Sequence, residues 1–324
     1  MKVSRAWLQR FFDTPLPSAE ELRDAFTFHA FEVEEVDGDI LDLKVLPDRA
    51  GYALSHRGVA KELSAILEIP LARDPLQEPL PVFPSTDRLR VNADPEYVNR
   101  HTAALVTGVT VRPSPEWLKN LLESVGQRSI NNIVDISNFV MLNIGQPNHA
   151  FDADTISRVN GVTAVDIRKA VLNEKVTTLS NEEYSLWESI YVFGDPETGK
   201  ALDVAGIKGG LDSGVTEKTT DLFISAGNYN ASLLRRASQG LRLVTDASQR
   251  FQNAPSPELT MYGMRDVLAL ITEIAGGKVV GVLDIYQNKA KEKKPVSVSL
   301  EAIQEILGPE FTDTEVLQAC KRLG

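Results

Sequence analysis

The 324-residue chain carries 34 Lys and Arg against 45 Asp and Glu, a net charge of −11, and a single cysteine, Cys320. With 43% hydrophobic and 24% charged residues it has the composition of a packed protein of two or three domains, which excludes disorder, collagen and a disulfide scaffold. One thiol excludes a Cys-based zinc site, and no run approaches the ~18 apolar residues of a membrane span, so a cytoplasmic protein is expected. The acid excess argues against gripping nucleic acid by bulk charge and leaves room only for a local RNA contact.

In chain order, Trp7, Leu8, Phe11 and Phe12 fall at helical spacing, and Ser18 with Glu21 forms a capping box opening a helix through Leu22 and Phe26. Phe31, Val33 and Val36, then Leu41, Leu43 and Val45, alternate as strands. Pro47 to Gly51 reads as a turn, and Val59, Leu63, Ile66 and Leu67 share one helical face. These segments make a small mixed domain over 1–70. Pro70, Pro75, Pro79, Pro81 and Pro84 then make 71–86 an extended linker, because each removes an amide donor and restricts φ.

A large α+β domain is expected over 87–287. Strands are read at Leu89–Val91 and Ala103–Val106, and Ser114 as N-cap with Pro115 at the first helical position opens a helix stopped by Gly126. A second helix runs from about Ile133 to Ile144 and stops at Gly145. Strand-rich sequence fills Val162 to Phe193, and helices are expected near Ser232–Gln239, Thr245–Gln252 and Ser256–Ala275, before a strand over Val279–Ile285. A charged linker over 288–295 leads to a helical unit over 296–324 that is too short to bury a core alone, which reads as an incomplete domain.

Of four histidines, His29, His56, His101 and His149, none belongs to an HExxH motif, and no acidic cluster has EF-hand or two-metal spacing, so no protein-held metal is expected. His149 follows Gly145-Gln146-Pro147-Asn148 just past a helix stop, where loops present groups to a cleft; satisfying nearby backbone is the commoner role there. Gly206-Ile207-Lys208-Gly209-Gly210 fails the P-loop order because Lys208 precedes the paired glycines. Its GXXG match to RNA-clamping loops supports no more than a tight polar loop. Asp135 and Asn138, at i and i+3, either line a pocket or face solvent. Arg235, Arg236 and Arg250 either meet phosphate or pair with the acid excess, and Cys320 reads as a buried helical thiol.

Longer motifs carry more. Arg128 to Leu142 (RSINNIVDISNFVML), Gly145 to Asp152 (GQPNHAFD), Ala205 to Gly210, Thr219-Thr220-Asp221 and Thr245 to Phe251 together resemble the bacterial phenylalanyl-tRNA synthetase beta subunit family. Phe31 to Val36, Pro47 to Ala50 and Leu54 to Ala60 resemble the same family, in the same order along the chain. The resemblance implies an α2β2 enzyme with a catalytic alpha subunit as partner, tRNA(Phe) as substrate, and ATP and Mg2+ used by the holoenzyme with neither expected on this chain. It also implies that 87–287 is a domain that hydrolyses tRNA mischarged with tyrosine, a need that arises because a pocket for phenylalanine has difficulty rejecting one added hydroxyl.

Carried over by resemblance, Ser137 stands where the family usually has Thr. Asn138 and His149 match polar pocket residues, Gly206 the glycine loop, and Thr245 and Ala247 the pocket floor. His149, the loop amides and Thr245 are expected to position water and receive developing negative charge, with His149 not an obligatory base. Three departures stand out. Ser225 occupies the position of the acid that reads the tyrosine hydroxyl, so tyrosine editing is expected to be weakened. Val36 to Ile40 joins two strands by a turn in place of an inserted oligonucleotide-binding domain. The helical unit resembling the fifth domain is cut, and Val244 replaces an arginine in a segment whose family order is altered.

Three functions compete: a beta subunit acting in phenylalanyl-tRNA synthesis, a free-standing hydrolase that clears mischarged tRNA, and a non-catalytic paralogue that binds RNA or protein. The beta-subunit reading leads; His149 and the glycine loop favour the free-standing hydrolase and the acid lost at Ser225 opposes it, while Ser225, Val244 and the domains missing by comparison with the family favour the third.

Overall fold

The computed structural model describes residues 1–289, 295–308 and 310–324. Its first unit is a three-stranded antiparallel sheet in the order β1 (Lys2–Ser4), β3 (Ile40–Lys44), β2 (Glu32–Asp37), with helices α1 (Arg5–Gln9), α2 (Ala19–His29), α3 (Pro47–Ala53) and α4 (His56–Leu67). The capping box forms as expected: Ser18 and Glu21 satisfy each other's backbone amides at the start of α2. Asp37 pairs with Ile40, so β2 and β3 meet through a two-residue turn. Pro47 to Gly51 is not a bare turn but the first part of α3, because Pro47 sits at N1, where its missing amide hydrogen has no helical partner to lose.

The larger unit contains two sheets. A four-stranded antiparallel sheet runs in the order β15, β5, β14, β6, and a mixed sheet in the order β13, β12, β11, β8, β4, with β7 also paired to β8. In chain order the elements are β4 (Leu89–Ala93), β5 (Val98–Val109), α5 (Glu116–Ser124), α6 (Asn132–Ile144), β6 (Asn148–Asp152), β7 (Arg158–Val159) and β8 (Val162–Lys169). There follow β9 (Lys175–Thr177), β10 (Glu183–Ser185), β11 (Tyr191–Gly194), β12 (Ala201–Val204), β13 (Lys208–Gly209), β14 (Asp221–Tyr229), α7 (Ala231–Leu241), α8 (Asp246–Phe251), α9 (Leu259–Ala275) and β15 (Gly276–Tyr286). β9 and β10 form a separate hairpin.

Strand periodicity explains how these layers stack. Alternate residues of a strand face opposite sides of its sheet. Ala104 and Val106 of β5 with Leu222, Ile224 and Ala226 of β14 pack toward α5, α6 and α9. Ala103 and Leu105 with Phe223 and Tyr229 pack toward the mixed sheet. The four-stranded sheet is therefore covered on both faces along β5 and β14, which are buried over nearly their whole length.

The first hydrophobic cluster also contains Trp7, Leu8, Leu22, Leu41 and Leu63, so the N-terminal unit and the helical face of the larger unit share one continuous core. Trp7 stacks on His56 and Phe139 at centroid distances of 4.0 and 5.1 Å, and its indole N–H donates to Asn143 Oδ1 at 2.9 Å. His56 bridges the two units: Nε2 accepts from Ser4 N at 3.4 Å and Nδ1 lies 3.0 Å from Leu142 O. The proline-rich stretch lies along both units. Ala72 N donates to Phe11 O at 2.9 Å, Arg57 pairs with Asp74 at 2.9 and 2.5 Å, and Val282 N donates to Pro84 O at 2.8 Å.

Helix α5 begins one residue later than expected, with Pro115 and not Ser114 at the cap. The Ser114 hydroxyl is taken instead by Asp135 at 2.5 Å, and Asp135 also accepts from Ser129 Oγ at 2.5 Å and Ile130 N at 2.9 Å. Asp135 is thus a buried structural carboxylate, neither pocket-lining nor solvent-facing. Helix α9 starts at Leu259, after Pro257, and β5 extends well beyond Ala103–Val106. Much of the expected charged linker, residues 290–294, lies outside the described residues. Beyond it, α10 (Leu300–Leu307) and α11 (Asp313–Leu323) bury none of their side chains fully, so Cys320 is exposed, contrary to the expected buried thiol. Helix α11 lies on α4, where Arg322 pairs with Glu68.

Candidate functional site

A cleft opens where β6, β14 and the β12–β13 turn meet, beside α8. It is lined by Asn148, His149, Phe193, Asp203, Gly206, Ser225, Tyr229, Ala247 and Phe251 among others, and holds about 440 Å³ of empty space out to its mouth. His149 and Ser225 are direct register partners across β6 and β14, and Ser225 also faces Ala103 on β5. His149, Ser225 and Tyr229 therefore project from one face of one sheet into the space between the two sheets.

His149 packs edge-on against Phe151 at a centroid distance of 4.5 Å. Burial pushes its pKa down to about 4, so the ring is neutral at physiological pH, and its buried Nε2 has no hydrogen-bond partner among the described residues. A base this weak accepts a proton poorly at neutral pH, which favours a role in orienting a ligand or water over that of general base. The ring lies against Gly209, where an added Cβ would come within 2.7 Å of His149 Cε1. Gly209→Ala is expected to displace the ring and shift its NMR resonances while the other histidines stay unmoved; an unchanged His149 resonance would contradict this packing.

The glycine loop is the turn between β12 and β13. Gly206 has φ of 73°, and a Cβ there would meet Leu234 Cδ1 and the Tyr229 ring at 2.8 to 2.9 Å, so the position requires glycine on two counts. Ile207 N already donates to Val204 O at 2.9 Å, which leaves Gly206 N as the amide of this turn available to a ligand among the described residues.

The residues expected from sequence divide into two groups. His149, Gly206, Ser225 and Ala247 line the cleft together; Asn138, Ser137 and Thr245 do not. Asn138 lies on α6, and the neighbouring Asn148 is the asparagine that reaches the cleft. Ser137 contributes its carbonyl, which accepts from Asn148 Nδ2 at 3.1 Å. Thr245 is fully engaged: its hydroxyl donates to Ile207 O at 2.8 Å and accepts from Ser248 N at 3.1 Å, so it fastens α8 to the glycine turn. Arg250 pairs inside the protein. It is 3% exposed and donates to Leu54 O at 2.9 Å and Asp246 O at 2.8 Å. Arg235 donates to Gln252 O and Arg236 to Ser232 O, both at the surface.

Sequence reasoning missed His101, Asp203, Phe193 and Tyr229. His101 Nε2 and Ser225 Oγ are hydrogen-bonded at 2.9 Å, and burial pushes the His101 pKa down to about 3. Asp203 is 5% exposed, and burial pushes its pKa up to about 8. An acid inside the apolar run Leu202-Asp203-Val204-Ala205 was the available signal, since carboxylates are almost never fully buried without partners. Among the described residues no group of three or more His, Cys, Asp or Glu is placed to hold a metal ion, and no helix is long and apolar enough to cross a membrane.

The sequence matches the B3/4 domain family over residues 98–276, more than half of the chain. It is 37% identical over 284 residues to the Phenylalanine--tRNA ligase beta subunit of Porphyromonas gingivalis, covering 86% of this chain and 34% of that protein. It is 39% identical over 255 residues to the same-named protein of Aquifex aeolicus, covering 79% and 31%, and 34% identical over 330 residues to that of Rhodopirellula baltica, covering 100% and 47%. The chain thus spans between about a third and a half of the length of these relatives. A crystal structure of an N-terminal fragment of the phenylalanyl-tRNA synthetase beta-subunit from Pyrococcus horikoshii aligns with 100% of this chain and 88% of its own, at 18% identity and a TM-score of 0.45. The chain belongs to the B3/4 domain family and is similar over most of its length to phenylalanine--tRNA ligase beta subunits.

Proposed function

We propose that this chain acts as part of a phenylalanine--tRNA ligase beta subunit and that its cleft hydrolyses the aminoacyl ester of mischarged tRNA(Phe), tyrosyl above all. The observation that carries this reading is that every residue lining the cleft falls within the B3/4 match, with His149, Gly206, Ser225 and Ala247 gathered around one space. The expected partners are an alpha subunit, which performs aminoacylation with ATP and magnesium, and tRNA(Phe). No step at this cleft is routed through either cofactor. The proposed domain division is a small unit over 1–70, a linker over 71–86, the hydrolytic unit over 87–287, a second linker over 288–295 and a helical unit over 296–324.

The chemistry needs few groups. Water adds to the ester carbonyl carbon, the oxygen takes up negative charge, and collapse expels the ribose hydroxyl, which leaves with a proton while the amino acid departs as its carboxylate. Gly206 N is placed to meet the developing oxyanion, and neutral His149 to hold the water or the ribose edge. Thr245 acts at one remove by holding the glycine turn on α8.

The test is to co-express the chain with the alpha subunit and follow release of tyrosine from Tyr-tRNA(Phe). His149→Ala is expected to lower the deacylation rate about 10- to 100-fold, within the usual range for loss of one transition-state interaction, with phenylalanylation unchanged. Deacylation no faster than the spontaneous reaction, or a rate indifferent to His149→Ala, would sink the reading.

A further inference from the structure

Among the described residues one carboxyl group lines the cleft, Asp203, and it has fewer hydrogen bonds than the buried Asp135 or Asp195. Asp135 accepts from Ser114 Oγ, Ser129 Oγ and Ile130 N, and Asp195 accepts from the amides of Ser157, Glu197 and Thr198 at 2.9 Å each. Asp203, as deeply buried as Asp195, has a single hydrogen bond among the described residues, from Phe193 N at 3.3 Å. Buried carboxyls with structural roles gather several donors because each missing donor costs desolvation energy. A carboxyl left with one long bond, facing a cleft, is waiting for a donor that the protein does not supply.

Its surroundings specify what that donor is attached to. Phe193, Tyr229 and Phe251 line the same cleft, and Tyr97 and Tyr229 are stacked with centroids 4.9 Å apart close enough to Asp203 that its charge raises the pKa of both phenols, after burial itself. Aromatic walls around one polar group suit a flat ring with a polar edge. With burial pushing its pKa up to about 8, the carboxyl is mostly protonated at neutral pH, so it meets a neutral hydroxyl, as donor or acceptor, better than a cation. Ser225, opposite on β14, is already hydrogen-bonded to His101 and is shorter and uncharged.

We propose that Asp203 is the specificity-determining residue of the cleft, hydrogen-bonding the phenolic hydroxyl of a tyrosyl ligand from β12. The inference rests on the reading of the cleft as a site for aminoacyl-adenosine, and it replaces the expectation that Ser225 leaves the cleft without an acid.

The probes are adenosine carrying tyrosine or phenylalanine through a 3′-amide, which cannot be hydrolysed as the ester is, bound to the chain together with its alpha subunit and measured by calorimetry. The wild type is expected to prefer the tyrosyl probe about 2- to 10-fold, the worth of one hydrogen bond between uncharged groups. Asp203→Ala is expected to abolish that preference with the phenylalanyl affinity held within about twofold, and Asp203→Asn, which keeps shape and hydrogen-bonding capacity, to retain part of it. Thermal melts of both variants confirm folding. A preference that survives Asp203→Ala, equal losses for both probes, or binding of neither probe overturns the inference. An Asp203-dependent preference without Tyr-tRNA(Phe) hydrolysis would uphold Asp203 and overturn the hydrolytic reading. Hydrolysis without such a preference would do the reverse.

Discussion

Arg250→Met is expected to destabilise the protein by about 1–3 kcal/mol, the usual cost of leaving a buried hydrogen-bond acceptor without its donor. The guanidinium is 3% exposed and satisfies two carbonyls, Leu54 O after α3 and Asp246 O in α8, besides pairing with Asp246 Oδ1 at 3.3 Å. Methionine fills much of the same volume but donates to neither the Leu54 nor the Asp246 carbonyl. Because Leu54 belongs to the N-terminal unit and α8 carries Ala247 and the Thr245 clasp, the loss falls on the seam that holds the cleft floor in place. Arg250→Lys is expected to recover only part of the stability, since an ammonium cannot reproduce the planar fork. Urea unfolding of the three proteins decides it: a loss under about 1 kcal/mol for the methionine variant would show that this network is not structural.

Lowering the pH below about 6.5 is expected to destabilise the fold steeply, and the cause is burial of neutral histidines. Burial pushes His56 and His101 down to about 3 and His149 to about 4, whereas each is free to titrate near its ordinary value of 6.5 once unfolded. Below 6.5 the unfolded chain takes up these three protons and the native protein does not, so stability present above 6.5 is lost as pH falls. Asp203 works the other way. Its native pKa of about 8 against an unfolded value near 3.8 means that the native state holds one extra proton between those limits. The net difference is at most two protons, or about 2.7 kcal/mol per pH unit between 6 and 4. Above 6.5 Asp203 alone remains, so stability declines gently toward pH 8 and the maximum falls near 6.5. Urea midpoints at half-unit steps from pH 5 to 8.5 test both limbs, and Asp203→Asn should flatten the alkaline limb and steepen the acid one. A profile level from pH 7 to 5 would mean the histidines reach water or a partner.

Local signals were legible wherever the responsible residues are close in the chain. Ser18 with Glu21 and the Gly145 stop both form, because each involves backbone groups within a few residues. The run Pro47 to Gly51 was misread because a proline at N1 and a proline in a turn look alike until the following residues choose. Ser114 was misread because a hydroxyl suited to capping α5 was claimed by Asp135, 21 positions later. Asn138 and Asn148 could be told apart only by which one the sheet turns toward the cleft.

The sequence by itself determined the α+β character of the chain, its family, and four of the residues that share one cleft: His149, Gly206, Ser225 and Ala247. Those survive in long motifs and in residue types that local backbone demands. Tertiary structure alone decided that Asp203 joins them, that His101 holds Ser225, and that Arg250 ties the cleft floor to the N-terminal unit. The reason is register. A strand's face is chosen by its partners, which here lie more than 100 positions away, as Ser225 does from Ala103, and a slip of one residue would turn every one of these groups to the other side. The negative net charge, read first as an argument against nucleic acid, described the surface and had no bearing on a cleft whose histidines are neutral and whose acid is largely protonated.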